Sequence, residues 1–357
     1  MVPYCDNCIN VLLEHYGLDH QHQATIDLLK GLDNTSVPDE EHTMLTQSLW
    51  DNPEEDTPYF VRAAARAARK ATKTVTAAQL DLSLARIYSE FLHDHAKATT
   101  RREKIMNTYA STQDETRIGY TKLKASFELA KQFLCDAVSA GIGTPAAAAA
   151  AGSKLENLVK QAKLDDKSAV WILSSTRAIC LGIYYRLCGR DPEARALFRP
   201  SVKRGIEILS DDDPENDVLG YVDLMNALLA AGDVKNVTAI AYHDGFGRYD
   251  ANNPEATITP SNPSDLVTCD GPCRKQLPSL DDYHQCSICL DTGFCPECVE
   301  QLAQGTMVIS KCSPKHVPDF MHVPRRTRNV GPGKMLVDGE EMDFEVWKRQ
   351  LKREWGV

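Results

Sequence analysis

Up to about residue 245, apolar positions recur at three- and four-residue intervals, and few stretches alternate apolar with polar. That period places the apolar side chains on one face of a helix, so this region is predicted to be a succession of amphipathic helices. Helix-start signals punctuate it: Asn52-Pro53-Glu54, Asp191-Pro192-Glu193 and Asp213-Pro214-Glu215. In each, a side-chain oxygen can cap the first free amides, proline suits the first helical position, and the acid faces the positive end of the helix dipole. Thr144-Pro145, ahead of the alanine run 146–151, reads either as another start or as a flexible linker. The pattern then breaks at Gly245, Gly247, Asn252, Asn253, Pro254, Pro260, Asn262 and Pro263, which predicts a domain boundary with a linker over 246–264. Near the other end, Met335 to Met342 reads as a hairpin turning at Asp338-Gly339, within a C-terminal segment 326–357. Asp343 is placed to cap a last helix with Phe344, Trp347 and Leu351 on one face and Trp355 a turn further on. This helix is expected to pack back on the body of the protein.

Many helices with short connections suggest an array of helical hairpins over 1–245. Leu181, Gly182 and Tyr185 fall on one helix, Gly189 in the turn, and Ala194 and Phe198 on the next. Small residues at Gly182 and Ala194 would let the two helices approach, and Leu181, Tyr185 and Phe198 would fill the space between. These residues at these offsets resemble a tetratricopeptide repeat. The window departs from that pattern at Ala178, where a tryptophan is usual, and at Pro200 inside the second helix. A weaker second unit follows with Leu224, Gly232 in the turn and Val237.

Seven of the twelve cysteines and one histidine crowd into a short stretch: Cys269 and Cys273, Cys286 and Cys289, Cys295 and Cys298, then Cys312 and His316. Thiolates paired at two- or three-residue gaps suit a tetrahedral zinc site, because one tight turn can aim both sulfurs at one ion. Eight ligands make two zinc sites, and the two ions would supply folding energy that so small a module cannot draw from a core. Two topologies fit the order of pairs: a sequential one and a cross-brace. The five-residue gap between Cys289 and Cys295 is short enough for a turn leading from one site to the other, which favours the cross-brace. Cys269, Cys273, Cys295 and Cys298 would then hold one ion, and Cys286, Cys289, Cys312 and His316 the other. Because both sites are filled by protein ligands, neither is expected to catalyse: a catalytic zinc keeps a position open for water.

The segment from Tyr283 to Cys298, with Tyr283 three residues before the second pair, Asp291 in the five-residue gap and Phe294 just before the third pair, resembles the centre of a ZZ-type zinc finger. The resemblance covers about residues 265–325. It departs at the first pair, whose gap is three residues rather than two, and at the last pair, where ZZ fingers use two histidines; His322 is therefore a rival ligand. The resemblance implies binding of proteins or peptides, often at peptide N-termini, through acidic side chains beside the first zinc. Asp270, Asp281, Asp282 and Asp291 are the candidates it points to, a carboxylate being a natural partner for an α-amino group. Cys269-Asp270-Gly271-Pro272-Cys273, Val323-Pro324 and the closing Trp355-Gly356 also make the arrangement resemble the C-terminal region of fungal helical-repeat and immune-receptor-like proteins. The phosphate-cradling loop of an ATPase core is not found in the sequence: Gly333-Lys334 is followed by methionine and lacks the upstream glycine.

A net charge of −10 over 357 residues argues against general nucleic-acid binding. No apolar run approaches the roughly 20 residues needed to span a bilayer, and Met1-Val2-Pro3-Tyr4-Cys5 lacks the start of a secretory signal. Five cysteines outside the cluster (Cys5, Cys8, Cys135, Cys180 and Cys188) make an odd number, which suits a reducing compartment, cytosol or nucleus, better than a disulfide framework. Cys5 and Cys8, with His15, His20 and His22 downstream, read as a buried helix face before a further metal site. Arg62, Arg66, Arg69, Lys70 and Lys73, and later Arg325, Arg326 and Arg328, read as solvated basic faces. His93 and His95 lie two apart and diverge on a helix. Asp244-Gly245-Phe246-Gly247 has no kinase context around it.

The expectation is a mainly α chain: a helical-hairpin array, a small α+β cross-brace module over 265–325, and a C-terminal hairpin and helix. Its function would be that of a non-enzymatic adaptor for a protein or peptide partner. A RING-like ubiquitin-ligase component is the alternative, weakened by a last pair that is not two cysteines. A nucleic-acid-associated regulator comes third.

Overall fold

The computed structural model describes residues 74–90, 94–108, 115–141, 145–160, 171–211, 213, 216–243, 267–277, 283–290, 292–307, 312–323, 330–331 and 333–357. The Asn52-Pro53-Glu54 signal, Cys5, Cys8, His15, His20, His22, His93, the two basic clusters and the linker 246–264 lie outside the described residues. The described part is mainly helical, with small antiparallel sheets towards the C-terminus. It divides into two compact units, 1–129 and 130–357.

In the first unit, α1 (Thr74–Glu90) and α2 (His95–Thr108) form a hairpin. Asp94 caps α2 by accepting from the Lys97 amide at 3.0 Å. Leu84, Tyr88 and Ala98 share its core, and the buried Asp81 meets Arg101 at 3.4 Å. Helix α3 (Glu115–Ala140) runs across the boundary between the units.

The second unit begins with the last part of α3, followed by α4 (Pro145–Lys160), α5 (Trp171–Leu187), α6 (Asp191–Ile208), α7 (Asp217–Ala231) and α8 (Val234–Tyr242). The alanine run after Thr144-Pro145 thus forms the start of α4 rather than a linker. Helices α5 and α6 pack as a hairpin with Leu181 buried, but Tyr185 is only half-buried and its hydroxyl donates to Glu156 of α4 at 2.8 Å instead of filling the space between α5 and α6. Gly189 turns the chain at a φ of 71°, which glycine adopts without steric cost. Phe198 and Ala194 are buried. A Cβ on Gly182 would sit 2.4 Å from the Phe198 ring, so the close approach requires glycine. Pro200 is accommodated inside α6. Gly232 ends α7 in the left-handed region, and Val237 of α8 is buried.

Two helix starts differ from the sequence reading. Arg190, with no side-chain cap, precedes α6, and Asp191 lies in its first turn. Helix α7 starts at Asp217, beyond Asp213-Pro214-Glu215. There the Asp213 amide bonds to the Asp211 carboxylate at 3.0 Å, and Asn216 Nδ2 to Asp211 at 3.2 Å. These side-chain bonds offer the backbone a turn in competition with the helix.

Three small sheets follow: β1 (Val267–Thr268) with β2 (Gln276–Leu277); β3 (Tyr283–Cys286) between β4 (Gly293–Phe294) and β5 (Phe320–Val323); and β6 (Lys334–Val337) with β7 (Glu340–Asp343). All pairs are antiparallel. The β6–β7 turn is Asp338-Gly339, with φ of 52° and 82°, the two positive values a tight two-residue hairpin loop requires. Asp343 then caps α10 (Phe344–Trp355) through the amides of Glu345 and Val346; α9 is Pro296–Ala303, in the cysteine-rich region.

Helix α10 packs back on the helices. Trp347, Leu351 and Trp355 are buried. The Trp347 indole donates to Asn236 Oδ1 at 2.9 Å, and Lys348 Nζ donates to the Leu209 carbonyl at 2.6 Å. At its end, Arg199 Nε reaches the Trp355 carbonyl at 3.0 Å, and the Arg195 guanidinium lies over the Trp355 ring at 4.2 Å.

Candidate metal centres

Each pair of donors sits where local backbone chemistry can hold it. The first pair flanks the β1–β2 turn, where the Cys269 amide bonds to the Lys275 carbonyl at 2.9 Å. Gly271 and Lys275 amides point at the sulfurs of Cys269 and Cys273 at 3.3 and 3.4 Å. A Cβ on Gly271 would lie 2.4 Å from Cys298 Sγ, so this turn closes around the cluster only with glycine. The second pair ends β3, and the Cys289 amide donates to Cys286 Sγ at 3.3 Å. The third pair straddles the start of α9: Cys295 is its N-cap and Pro296 follows. The positive end of the helix dipole therefore faces sulfurs that must ionise. The last pair combines Cys312 with His316, carried on the 3-10 helix Pro314–Asp319.

The sheet crosses the pairs. Strand β4 runs antiparallel to β3, so the chain leaves Cys289 and arrives at Cys295 at the other end of the sheet. Cys269, Cys273, Cys295 and Cys298 come together as one cluster, and Cys286, Cys289, Cys312 and His316 as another. Within each cluster the donor atoms lie within 4.8 Å of one another. Buried Phe294, which meets Phe320 at 5.6 Å, lies on the strand leading into the first cluster.

The spacings suit a small tetrahedral cation. Zn–S bonds of about 2.3 Å and Zn–N bonds of about 2.0 Å imply tetrahedral edges of roughly 3.5–3.8 Å. Cys273 Sγ lies 3.7 Å from Cys295 Sγ and 3.5 Å from Cys298 Sγ. His316 Nδ1 lies 3.8, 3.4 and 3.7 Å from the sulfurs of Cys286, Cys289 and Cys312. His316 thus offers Nδ1, while its Nε2 is buried without a hydrogen-bond partner.

Electrostatics lead to the same requirement. Burial pushes the Cys298 thiol up to about 11, and Cys295 higher still for the same first reason. Hydrogen bonding to Cys286 raises Cys312. Burial would raise Cys286 too, but bonds from Cys289, Cys312 and His316 outweigh it and hold that thiol well below the ordinary range. The second cluster therefore favours one anion shared among its neighbours, and full ionisation needs a cation at the centre. Each cluster fits a divalent metal ion.

His322 does not join either set. It lies on β5 opposite His284, two positions along the sheet from the Cys286–Phe320 pair. It is exposed and stacks on His284 with ring centroids 4.4 Å apart. The candidate acids fare differently. Asp270 is half-buried, and its carboxylate accepts from the Gly293 amide at 3.0 Å, tying the first turn to β4. Asp281, Asp282 and Asp291 lie outside the described residues.

One thiol at this site had no signal in the sequence. Cys135 of α3, half-buried, neighbours Cys289 of the second cluster, which holds the Cys135 thiol below its ordinary range. Its partner is more than 150 residues away, so no spacing motif could point to it.

No protein-family model matches the chain, and neither the curated proteins nor the solved structures searched contain a match. No helix among the described residues is long and apolar enough to cross a membrane.

Proposed function

We propose that this chain is a non-enzymatic adaptor for a protein or peptide partner, with two structural zinc ions shaping its recognition module. The carrying observation is the pair of clusters, each with four protein donors converging on one centre. Four donors complete a tetrahedral shell, and a completed shell supports a structural rather than a catalytic ion. Thiolate-rich sets with tetrahedral spacing select zinc among the common divalent metals. Cys269, Cys273, Cys295 and Cys298 would hold one ion, and Cys286, Cys289, Cys312 and His316 the other. The tetratricopeptide-like reading of the helical region up to residue 245 rests on the α5–α6 hairpin, with Gly182 against Phe198 and Gly189 in the turn. Stacked hairpins of this kind offer extended binding surfaces. The crossed ligand pairs are shared with RING-type modules, which keeps the ubiquitin-ligase reading as the second one.

Elemental analysis of protein purified without chelator should give two zincs per chain, and one in Cys286→Ser. A panel of peptides with free and acetylated N-termini, together with a ubiquitin-discharge assay, then separates the readings. Peptide binding without discharge supports the adaptor. Discharge of a charged conjugating enzyme would replace it with the ligase component. Zinc-loaded protein that does neither would leave the adaptor reading without support.

A further inference from the structure

The two clusters differ in what solvent can reach. Cys286, Cys289, Cys312 and His316 are all buried, and so are Cys269, Cys295 and Cys298 of the first cluster. Cys273 alone among the eight donors is exposed. It lies in the β1–β2 turn, whose Gly271 sits so near Cys298 Sγ that no Cβ fits between them. The same turn lays Cys273 against the start of α9. Its sulfur is 3.5 Å from Cys298 Sγ and 3.7 Å from Cys295 Sγ. One sulfur is thus open to solvent while a buried sulfur lies within reach behind it.

We propose that Cys273 is a site of oxidation by hydroperoxides, with Cys298 as the thiol that closes the disulfide and the first metal centre as the one emptied. Oxidation of a thiolate follows its exposure, so an oxidant from solvent meets Cys273 before any other donor. The Cys273 thiolate attacks the outer oxygen of the hydroperoxide. The O–O bond breaks, Cys273 becomes a sulfenic acid, and hydroxide or an alkoxide leaves. The Cys298 thiolate, the nearer of the two sulfurs, then attacks the Cys273 sulfur. The S–S bond forms, the S–O bond breaks and hydroxide leaves. Two electrons pass from the two sulfurs to the peroxide. Cys269 and Cys295 remain as thiolates, two donors where a tetrahedral shell needs four. The second cluster, with every donor buried, keeps its ion. The loss of metal rests on the zinc reading above; the disulfide itself does not.

The test uses the full chain, purified without chelator and freed of reductant. Hydrogen peroxide is raised in steps. At each step free thiols are alkylated, the digest is read by mass spectrometry, and released zinc is followed with a colorimetric chelator. Cys273 should be the first of the seven cluster cysteines to escape alkylation, and it should appear in a Cys273–Cys298 linked peptide. Zinc should fall from two per chain to one in step with that peptide. The second cluster is the internal control, because a Cys273→Ser variant already lacks a donor before any peroxide is added. Cys188, exposed and outside both clusters, reports the dose, and Cys188→Ser should form the link as the parent does. Oxidation that begins at Cys286, Cys289 or Cys312 would overturn the proposal. So would a disulfide from Cys273 to any other cysteine, loss of both zincs together, or no link at doses that already oxidise Cys188. A chain without zinc that still forms the link would instead sink the zinc reading and leave the disulfide standing.

Discussion

Gly271 has no room for a methyl group. A Cβ there would fall 2.4 Å from Cys298 Sγ and 3.3 Å from Cys269 Sγ, two donors of the first cluster. Its amide also points at Cys269 Sγ. Gly271→Ala should therefore cost the first ion and spare the second: zinc content falls from two per chain to one. Full occupancy in the variant would mean that the turn yields more easily than these distances allow. The donors themselves were legible in the sequence, because each pair is local and a two- or three-residue gap already fixes its geometry. His316 over His322 was not settled there, since it depends on the 3-10 helix turning His316 inward while β5 sets His322 opposite His284. Cys135 was invisible for a stronger reason: its neighbourhood is created only when α3 packs against the cluster.

Helix α10 shows what one element contributes. The Trp347 indole is buried and spends its only donor on Asn236 Oδ1. Asn236 is itself buried, and its Nδ2 reaches Asp233 at 2.9 Å. Asn236→Ala keeps the Asp233 cap, which uses the backbone amide of residue 236, but strands the indole N–H. A buried donor left unpaired costs about 1–3 kcal/mol. Urea unfolding should show a loss of that size, whereas alanine at the exposed Arg349 should stay within about 0.5 kcal/mol of the parent. Equal effects at the two positions would show that the indole finds another partner. The periodicity of Phe344, Trp347 and Leu351 revealed that α10 has a buried face. It could not name Asn236, because helix amphipathicity says that a face is covered and not by what. The late start of α7 has a comparable origin: Asp211 and Asn216 bond to each other, and such competition is invisible to a motif of three residues.

Across the unit 130–357, two kinds of stabilisation meet. Helices α5 to α8 bury apolar side chains that include Ile183, Phe198, Val202, Leu224, Leu228 and Ile240. Among its described residues, the cysteine-rich part has strands of only two to four residues, one eight-residue α-helix and a six-residue 3-10 helix. A structural zinc of this type contributes on the order of 10 kcal/mol near neutral pH, more than the whole stability of many domains. Metal removal should therefore divide the unit. With a strong chelator and a reductant present, residues 267–323 should lose hydrogen-exchange protection, while 191–208 and 217–231 keep theirs. Helix α10 should side with the helices, since Trp347, Lys348 and Trp355 anchor to α8, to the end of α6 and to α6 itself. The helical signal in circular dichroism should fall only slightly, because α9 is the one α-helix among the described residues of that segment. Contacts such as Arg186 Nη2 to Ser287 Oγ, at 3.4 Å, join helices and metal module, and they set the alternative. Should 191–208 lose protection together with 267–323, the ions would be stabilising one cooperative body, and the helical hairpins would depend on metal for their own fold.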